Sequence, residues 1–136
     1  MAVTQPTLES FEHQKTVLLT TFKRDGTPVG TPVSIVVRDG RAYFRTWHTS
    51  GKAKRLNNNP EVEVAPFRDR FGLPTGQGTQ TGPAIRGKAR LLDDAEARPI
   101  RRELARKYPV LQRWLVPLNH KMKGVRTLHY EFIPHS

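Results

Sequence analysis

Between Lys15 and Lys23 the chain reads Thr-Val-Leu-Leu-Thr-Thr-Phe, a β-branched, aliphatic and aromatic run that stops at Asp25-Gly26. Such a run closed by Asp-Gly is a strand entering a hairpin turn. The next apolar stretch, Val29 to Arg38, meets a second Asp39-Gly40 turn, and Arg41 to Trp47 returns as a third strand. Three consecutive antiparallel strands make a meander. Glu61 to Phe67 sets Val62 and Val64 against Glu61 and Glu63, which predicts a fourth strand with one wet face. Ala84 to Leu92 and Val125 to Ile133 supply a fifth and a sixth, the last with Leu128, Tyr130 and Phe132 on one face.

Helical sequence is sparser. Thr7 is a plausible cap for a short helix over Leu8 to Gln14, and a second short helix over Lys52 to Asn58 ends where Pro60 forbids its continuation. Ile100, Leu104, Tyr108 and Leu111 fall at spacings of four, four and three, a single apolar stripe, while Arg101, Arg102, Arg106 and Lys107 face water. Pro99 would cost about 3 kcal/mol deep inside a helix, so the main helix is expected from Arg98 onward, with Asp93 and Asp94 as capping residues before it. Arg68 to Pro83, rich in Gly and Pro, reads as a hairpin arm or loop. The fold expected is mainly β with peripheral helices, a small six-stranded antiparallel barrel forming a single domain over residues 1–136.

Charge changes this picture. Lys and Arg number 23 against 12 Asp and Glu, a formal charge of +11 in 136 residues. A field of that sign gathers anions. The cations are spread over strands and helices with no basic arm, which favours a small polyanion over nucleic acid. Cysteine is absent, so thiolate chemistry and disulfides are excluded. The five histidines show no short pairing, and no metal site is expected. No secretory signal or membrane-length apolar run is present, so a cytoplasmic protein with no membrane partner is expected.

The candidate chemistry lies between Arg45 and Pro60. Thr46, Thr49 and Ser50 form a hydroxyl-rich corner at the end of a strand, and Lys52, Lys54 and Arg55 open the helix that follows. A helix N-terminus offers unpaired N–H groups and the positive end of its dipole, so this order of parts suits a phosphate. At 100° per residue Lys52 and Arg55 share a face and Lys54 lies round the side. Trp47 is a core filler or a wall for a flat ring, and His48 is a phosphate donor or a solvent-facing loop histidine. Thr31-Pro32-Val33-Ser34 reads as an edge segment, since Pro32 lacks an N–H, with backbone groups left for a ligand. No nucleophile elbow, Walker loop or dinucleotide fingerprint appears.

Three stretches together resemble the split β-barrel family of pyridoxamine 5′-phosphate oxidases and flavin reductases: Gly30-Thr-Pro-Val-Ser34, Trp47-His-Thr-Ser-Gly-Lys-Ala-Lys-Arg-Leu56 and Thr81-Gly-Pro-Ala-Ile-Arg-Gly-Lys-Ala-Arg-Leu-Leu92. The chain is most similar to the branch of flavin/deazaflavin oxidoreductases that uses the deazaflavin coenzyme F420. That resemblance implies a homodimer with the coenzyme in a groove between subunits. It implies that Lys52 and Lys54, helped by Thr46, Ser50 and Arg55, hold the coenzyme phosphate, that Thr31 to Ser34 meet the ring edge, and that Trp47 and His48 lie near the linker. The implied reaction is hydride transfer from reduced F420 to a small conjugated acceptor, with no protein base named. FMN on the same fold is the alternative, and a non-catalytic basic module binding a cofactor or nucleic acid is the third reading. The segment Gly76 to Gly82 is longer than the family's Pro-Thr-Gly-Pro turn, which bears on substrate choice.

Overall fold

The computed structural model describes residues 8–11, 16–70, 77–107 and 126–135. A 3₁₀ turn at Leu8–Phe11 precedes the strands β1 (Thr16–Phe22), β2 (Pro28–Arg38) and β3 (Arg41–Trp47). The helix α1 (Gly51–Asn58) leads into β4 (Glu61–Asp69), and a short β5 (Gly78–Gln80) precedes β6 (Ile85–Leu91). The longer helix α2 (Asp94–Lys107) and β7 (Thr127–Pro134) complete the described chain.

The meander forms because its turns demand it. Asp39 and Gly40 both take positive φ, 53° and 74°, between the paired Arg38 and Arg41, the twist a two-residue hairpin needs. Every strand pairing is antiparallel, in the order β1-β2-β3-β7-β6-β4, and β1 closes back on β4 through Val17–Pro66 to Thr20–Glu63. The result is a closed six-stranded antiparallel barrel, mainly β with peripheral helices. Residues alternate inward along each strand, so Val17, Leu19, Ile35, Phe44, Val62, Val64, Tyr130 and Phe132 fill the interior. Phe44 and Tyr130 stack there with centroids 5.2 Å apart and planes at 12°.

The stretch beginning at Arg68 resolves into a hairpin: β5 pairs with the end of β4 through Phe67–Gln80, Arg68–Thr79 and Asp69–Gly78. Only the first turn of the expected opening helix lies among the described residues, and it is 3₁₀. Tyr108, Leu111 and Val125 lie outside them.

The start of α2 differs from expectation. It begins at Asp94 and carries Pro99 inside it. Asp93 Oδ1 accepts from the Glu96 N–H at 2.8 Å and Glu96 Oε1 accepts from the Asp93 N–H at 3.2 Å, a reciprocal capping box. Glu96 also meets Arg90 Nη2 at 2.9 Å, and the same guanidinium reaches Glu131 Oε1 at 2.9 Å. Cap, charge network and burial of Ala97, Ile100 and Leu104 together offset the proline.

That packing covers the outer face of β7, so both of its faces are buried, and His129 keeps only 3% of its surface exposed. Its Nε2 has no partner, and desolvation, followed by the charges of Arg101 and Arg45, pushes its pKa down to about 4. Between pH 6.5 and 4 the unfolded chain binds a proton that the folded chain refuses. Stability is full above that window and falls as the pH drops through it, with a limiting slope of about 1.4 kcal/mol per pH unit. Replacing His129 with Leu should flatten this acid limb in thermal melts recorded from pH 7 to 4; an unchanged limb would remove His129 from the account.

Candidate functional site

The ladder between β2 and β3 runs from Arg38–Arg41 to Ile35–Phe44 and stops. Its continuation would set Ser34, Val33, Pro32 and Thr31 across from Arg45, Thr46, Trp47 and His48. Instead β3 follows β7 to Trp47–Thr127, while residues 28–34 stay on β1 alone. The barrel therefore splits beyond Phe44, and the open edge of β2 carries backbone groups that no described strand pairs. Thr31 to Ser34 and Thr46 to His48, far apart in sequence, form its two banks.

At the end of this split sits α1, packed on β1 and β3. Ser50 caps it: its backbone is extended, and its Oγ accepts from the Ala53 N–H at 3.1 Å. The Thr46 and Ser50 hydroxyls lie 2.9 Å apart, with Thr46 only 3% exposed. Those two hydroxyls thus build the corner and bond to each other, while Thr49 is exposed. The Lys54 N–H goes to the Ser50 carbonyl at 3.3 Å, which leaves the N–H groups of Gly51 and Lys52 without acceptors among the described residues.

Lys52 and Arg55 are both half-buried on one face of α1, and Lys54 is exposed beside them. Arg55 Nε donates to Thr21 Oγ1 at 2.6 Å, which turns the side chain back toward the head of the helix. A Cβ on Gly51 would meet Arg55 Nη1 at 2.8 Å, so glycine there admits the guanidinium. Burial first, and the Arg55 charge second, hold the Lys52 pKa below the usual lysine range. No carboxylate lies in the first turn of α1, and no described ion pair involves Lys52, Lys54 or Arg55. The nearest acidic residues in sequence are engaged elsewhere, Glu61 with His135 at 2.6 Å and Glu63 with Arg86 at 3.3 Å.

His48 and Trp47 close the corner on the β7 side. The Arg126 backbone holds the His48 ring through Nδ1, which lies 2.8 Å from its N–H and 3.2 Å from its carbonyl oxygen. Trp47 is half-buried at the strand end and is not part of the barrel core. The sequence alone does not single out Thr21 or Gly51. Thr21 has only its inward register beside Val17 and Leu19 as a signal, and a contact 34 residues away leaves no local trace. Replacing Thr21 with Val should weaken binding of a phosphorylated ligand on the order of fivefold, about 1 kcal/mol, by releasing Arg55. Calorimetry on the folded variant checks this, and unchanged affinity would leave Thr21 with packing alone.

Among the described residues no helix is long and apolar enough to cross a membrane, and no group of three His, Asp or Glu could hold a metal ion. The sequence model of the family described as pyridoxamine 5′-phosphate oxidase matches residues 4–126. No curated protein matches the sequence. A protein of unknown function from Agrobacterium tumefaciens is similar in structure, with a TM-score of 0.69 at 17% identity over 98% of this chain, which spans only 58% of that one. An FAD-binding protein from Mesorhizobium loti gives 0.64 at 13% identity, covering 94% of this chain and 84% of its own. A structure described as an F420 reductase gives 0.61 at 14% identity, covering 98% and 97%. At such identities the likeness speaks to the fold alone.

Proposed function

Because the chain belongs to the pyridoxamine 5′-phosphate oxidase family, we propose that it is an oxidoreductase binding the deazaflavin coenzyme F420 in the split, and that it reduces a small conjugated acceptor. The observation that carries this reading is the corner at the head of α1: Lys52 and Arg55 held together, two open N–H groups, and no carboxylate among them. Burial beside Arg55 without a counter-ion disfavours the Lys52 charge, and an anionic ligand reverses that cost. The donor set fits a phosphate. Lys52, Lys54 and Arg55 would hold it, and the open backbone edge at Thr31 to Ser34 would receive the edge of a flat heterocycle.

The coenzyme supplies hydride when bound in its reduced form. The chain's own part is to grip the phosphate, to align the ring along β2 and to shield one face of it with the barrel. His48, its Nδ1 held by the Arg126 backbone, leaves Nε2 for a ligand beside the corner. A second copy of the chain would complete the groove, since a split open along one strand edge buries a ring on one side only. The charge of +11 suits a coenzyme with a phosphodiester and several carboxylates better than FMN with its single phosphate. FMN remains the competing occupant on the same fold.

Reduced F420 mixed with the protein and a panel of enones, quinones and linear tetrapyrroles tests the reaction. Loss of the reduced coenzyme's signal with at least one member is the expected result. Binding without turnover across the panel would point to a carrier of the coenzyme instead.

A further inference from the structure

The outer face of the sheet, where β1 pairs with β2 and β4, differs from the rest of the surface. Val17 and Leu19 point into the barrel, so Thr16, Leu18 and Thr20 point out. Their ladder partners share that face: Ser34, Pro32 and Gly30 on β2, with Ala65 and Glu63 opposite Leu18 and Thr20 on β4. Phe67 and Asp69 continue the outward row of β4, while Arg68 between them faces the other way. Ala65 and Phe67 are buried yet belong to neither apolar core, and Leu18 and Pro32 are half-buried beside them. The patch is recessed, with a cleft of about 700 Å³ over Leu18, Gly30, Pro32 and Phe67 and β5 as its wall.

Charge is what distinguishes it. Among its described residues this face has no Lys or Arg, in a chain that carries 23 of them. Its two acids flank Ala65 and Phe67, Glu63 paired with Arg86 at 3.3 Å and Asp69 accepting from Thr16 Oγ1 at 2.7 Å. Elsewhere cations crowd the outside. Arg86, Lys88 and Arg90 form the outward row of β6, and Arg98, Arg101 and Arg102 stand exposed on α2. A formal charge of +11 makes two copies of this chain repel each other over most approaches. Close approach is cheapest where cations are absent and apolar surface is at hand, and the centres of protein interfaces are depleted of charge in the same way.

We propose that this face is where a second copy of the chain docks, the two copies meeting about a twofold axis with the same face turned inward. The choice of face rests on the surface alone; the consequence for the coenzyme rests on the redox reading above. Pro32 connects the two. Its ring lies on the floor of the cleft while its backbone belongs to the open edge of β2, so a copy seated on that ring overhangs the split. The partner then supplies the outer wall that a single barrel lacks, and the coenzyme site is complete only in the dimer.

Sedimentation equilibrium of the full chain tests the assembly, and the unaltered protein should be a dimer at micromolar concentration. Leu18→Arg sets a cation on the floor and, through the twofold axis, places two in one interface, so it should weaken the dimer at least about 100-fold. Gly30→Arg should do the same. Gly30 is exposed, and a Cβ there touches only the Leu18 side chain, at 3.3 to 3.7 Å, so the fold is spared. Leu91→Arg, at a position 54% exposed and away from this face, should leave the dimer unchanged. F420 affinity should fall about tenfold or more in Leu18→Arg, because one side of the ring loses its cover. The unaltered chain should lose affinity likewise on dilution through the range where the dimer dissociates. A monomeric unaltered chain, a dimer indifferent to both Leu18→Arg and Gly30→Arg, or a dimer lost in Leu91→Arg would overturn the choice of face. Equal F420 affinity in dimer and monomer would overturn the partner's part in the groove. Subunits that Leu18→Arg separates, in a chain that binds no F420 when unaltered, would sink the redox reading and leave the interface standing.

Discussion

Replacing Lys52 and Lys54 together with Ala is expected to weaken F420 binding by about 30-fold or more, with the protein still folded. Each charge-assisted hydrogen bond to a phosphate contributes about 1.5–3 kcal/mol, and about 1.4 kcal/mol is one factor of ten. The two single variants should differ. Lys52 is half-buried and poorly screened, so its loss should cost about tenfold or more, whereas the exposed Lys54 acts through water and salt and should cost only a few-fold. Raising the ionic strength should narrow the Lys54 effect first.

Folding is spared because Lys52 is not a source of stability. Its pKa is held below that of a free lysine by burial and by Arg55. In the window below the free value the unfolded chain keeps a proton that the folded chain releases, so stability rises with pH through that window. Below it the protonated folded form carries the whole penalty. Removing the amine at neutral pH should therefore leave the melting temperature unchanged or raised. Strong destabilisation by Lys52→Ala would mean that its stem packs as core.

The second large effect concerns the barrel itself. Phe44 is 1% exposed, stacks on Tyr130, and pairs with Ile35 on one side and Tyr130 on the other. It is the last rung before the split. Phe44→Ala should lower the unfolding free energy by about 3–5 kcal/mol, combining lost transfer energy, a residual cavity and the broken stack. Against a usual total of about 5–15 kcal/mol, that is a large fraction. Urea unfolding measures it. Phe44→Leu should recover most of the loss, and a cost under about 1 kcal/mol for the alanine would contradict the packing described.

The strands of the barrel were legible because their signals are local. Asp25-Gly26 and Asp39-Gly40 mark turns at fixed positions, and the Val62–Val64 alternation shows which face is wet. The start of α2 lies ahead of where Pro99 alone would put it, because the Asp93–Glu96 capping box and the Arg90 bridge outweigh the proline in the fold. The buried outer face of β7 was invisible, since His129 and Glu131 read as solvent residues until α2 covers them.

For the site, the cationic trio and the hydroxyl corner could be read from adjacency, and the structure brings them to the end of the split. The Thr46 and Ser50 hydroxyls turn out to be structural partners of one another, a pairing that residue type alone does not decide. Arg55 reaching Thr21, and the glycine that makes room for it, are long-range geometry with no sequence period.

The corner at the head of α1 is proposed to grip the phosphate of F420. Equilibrium titration of the purified protein with F420, FMN and a DNA duplex at physiological salt tests it most directly. Saturable F420 binding tighter than FMN and lost with Lys52 and Lys54 is expected, with weak, steeply salt-dependent attraction to DNA. FMN binding more tightly than F420, or F420 affinity indifferent to both lysines, would contradict it.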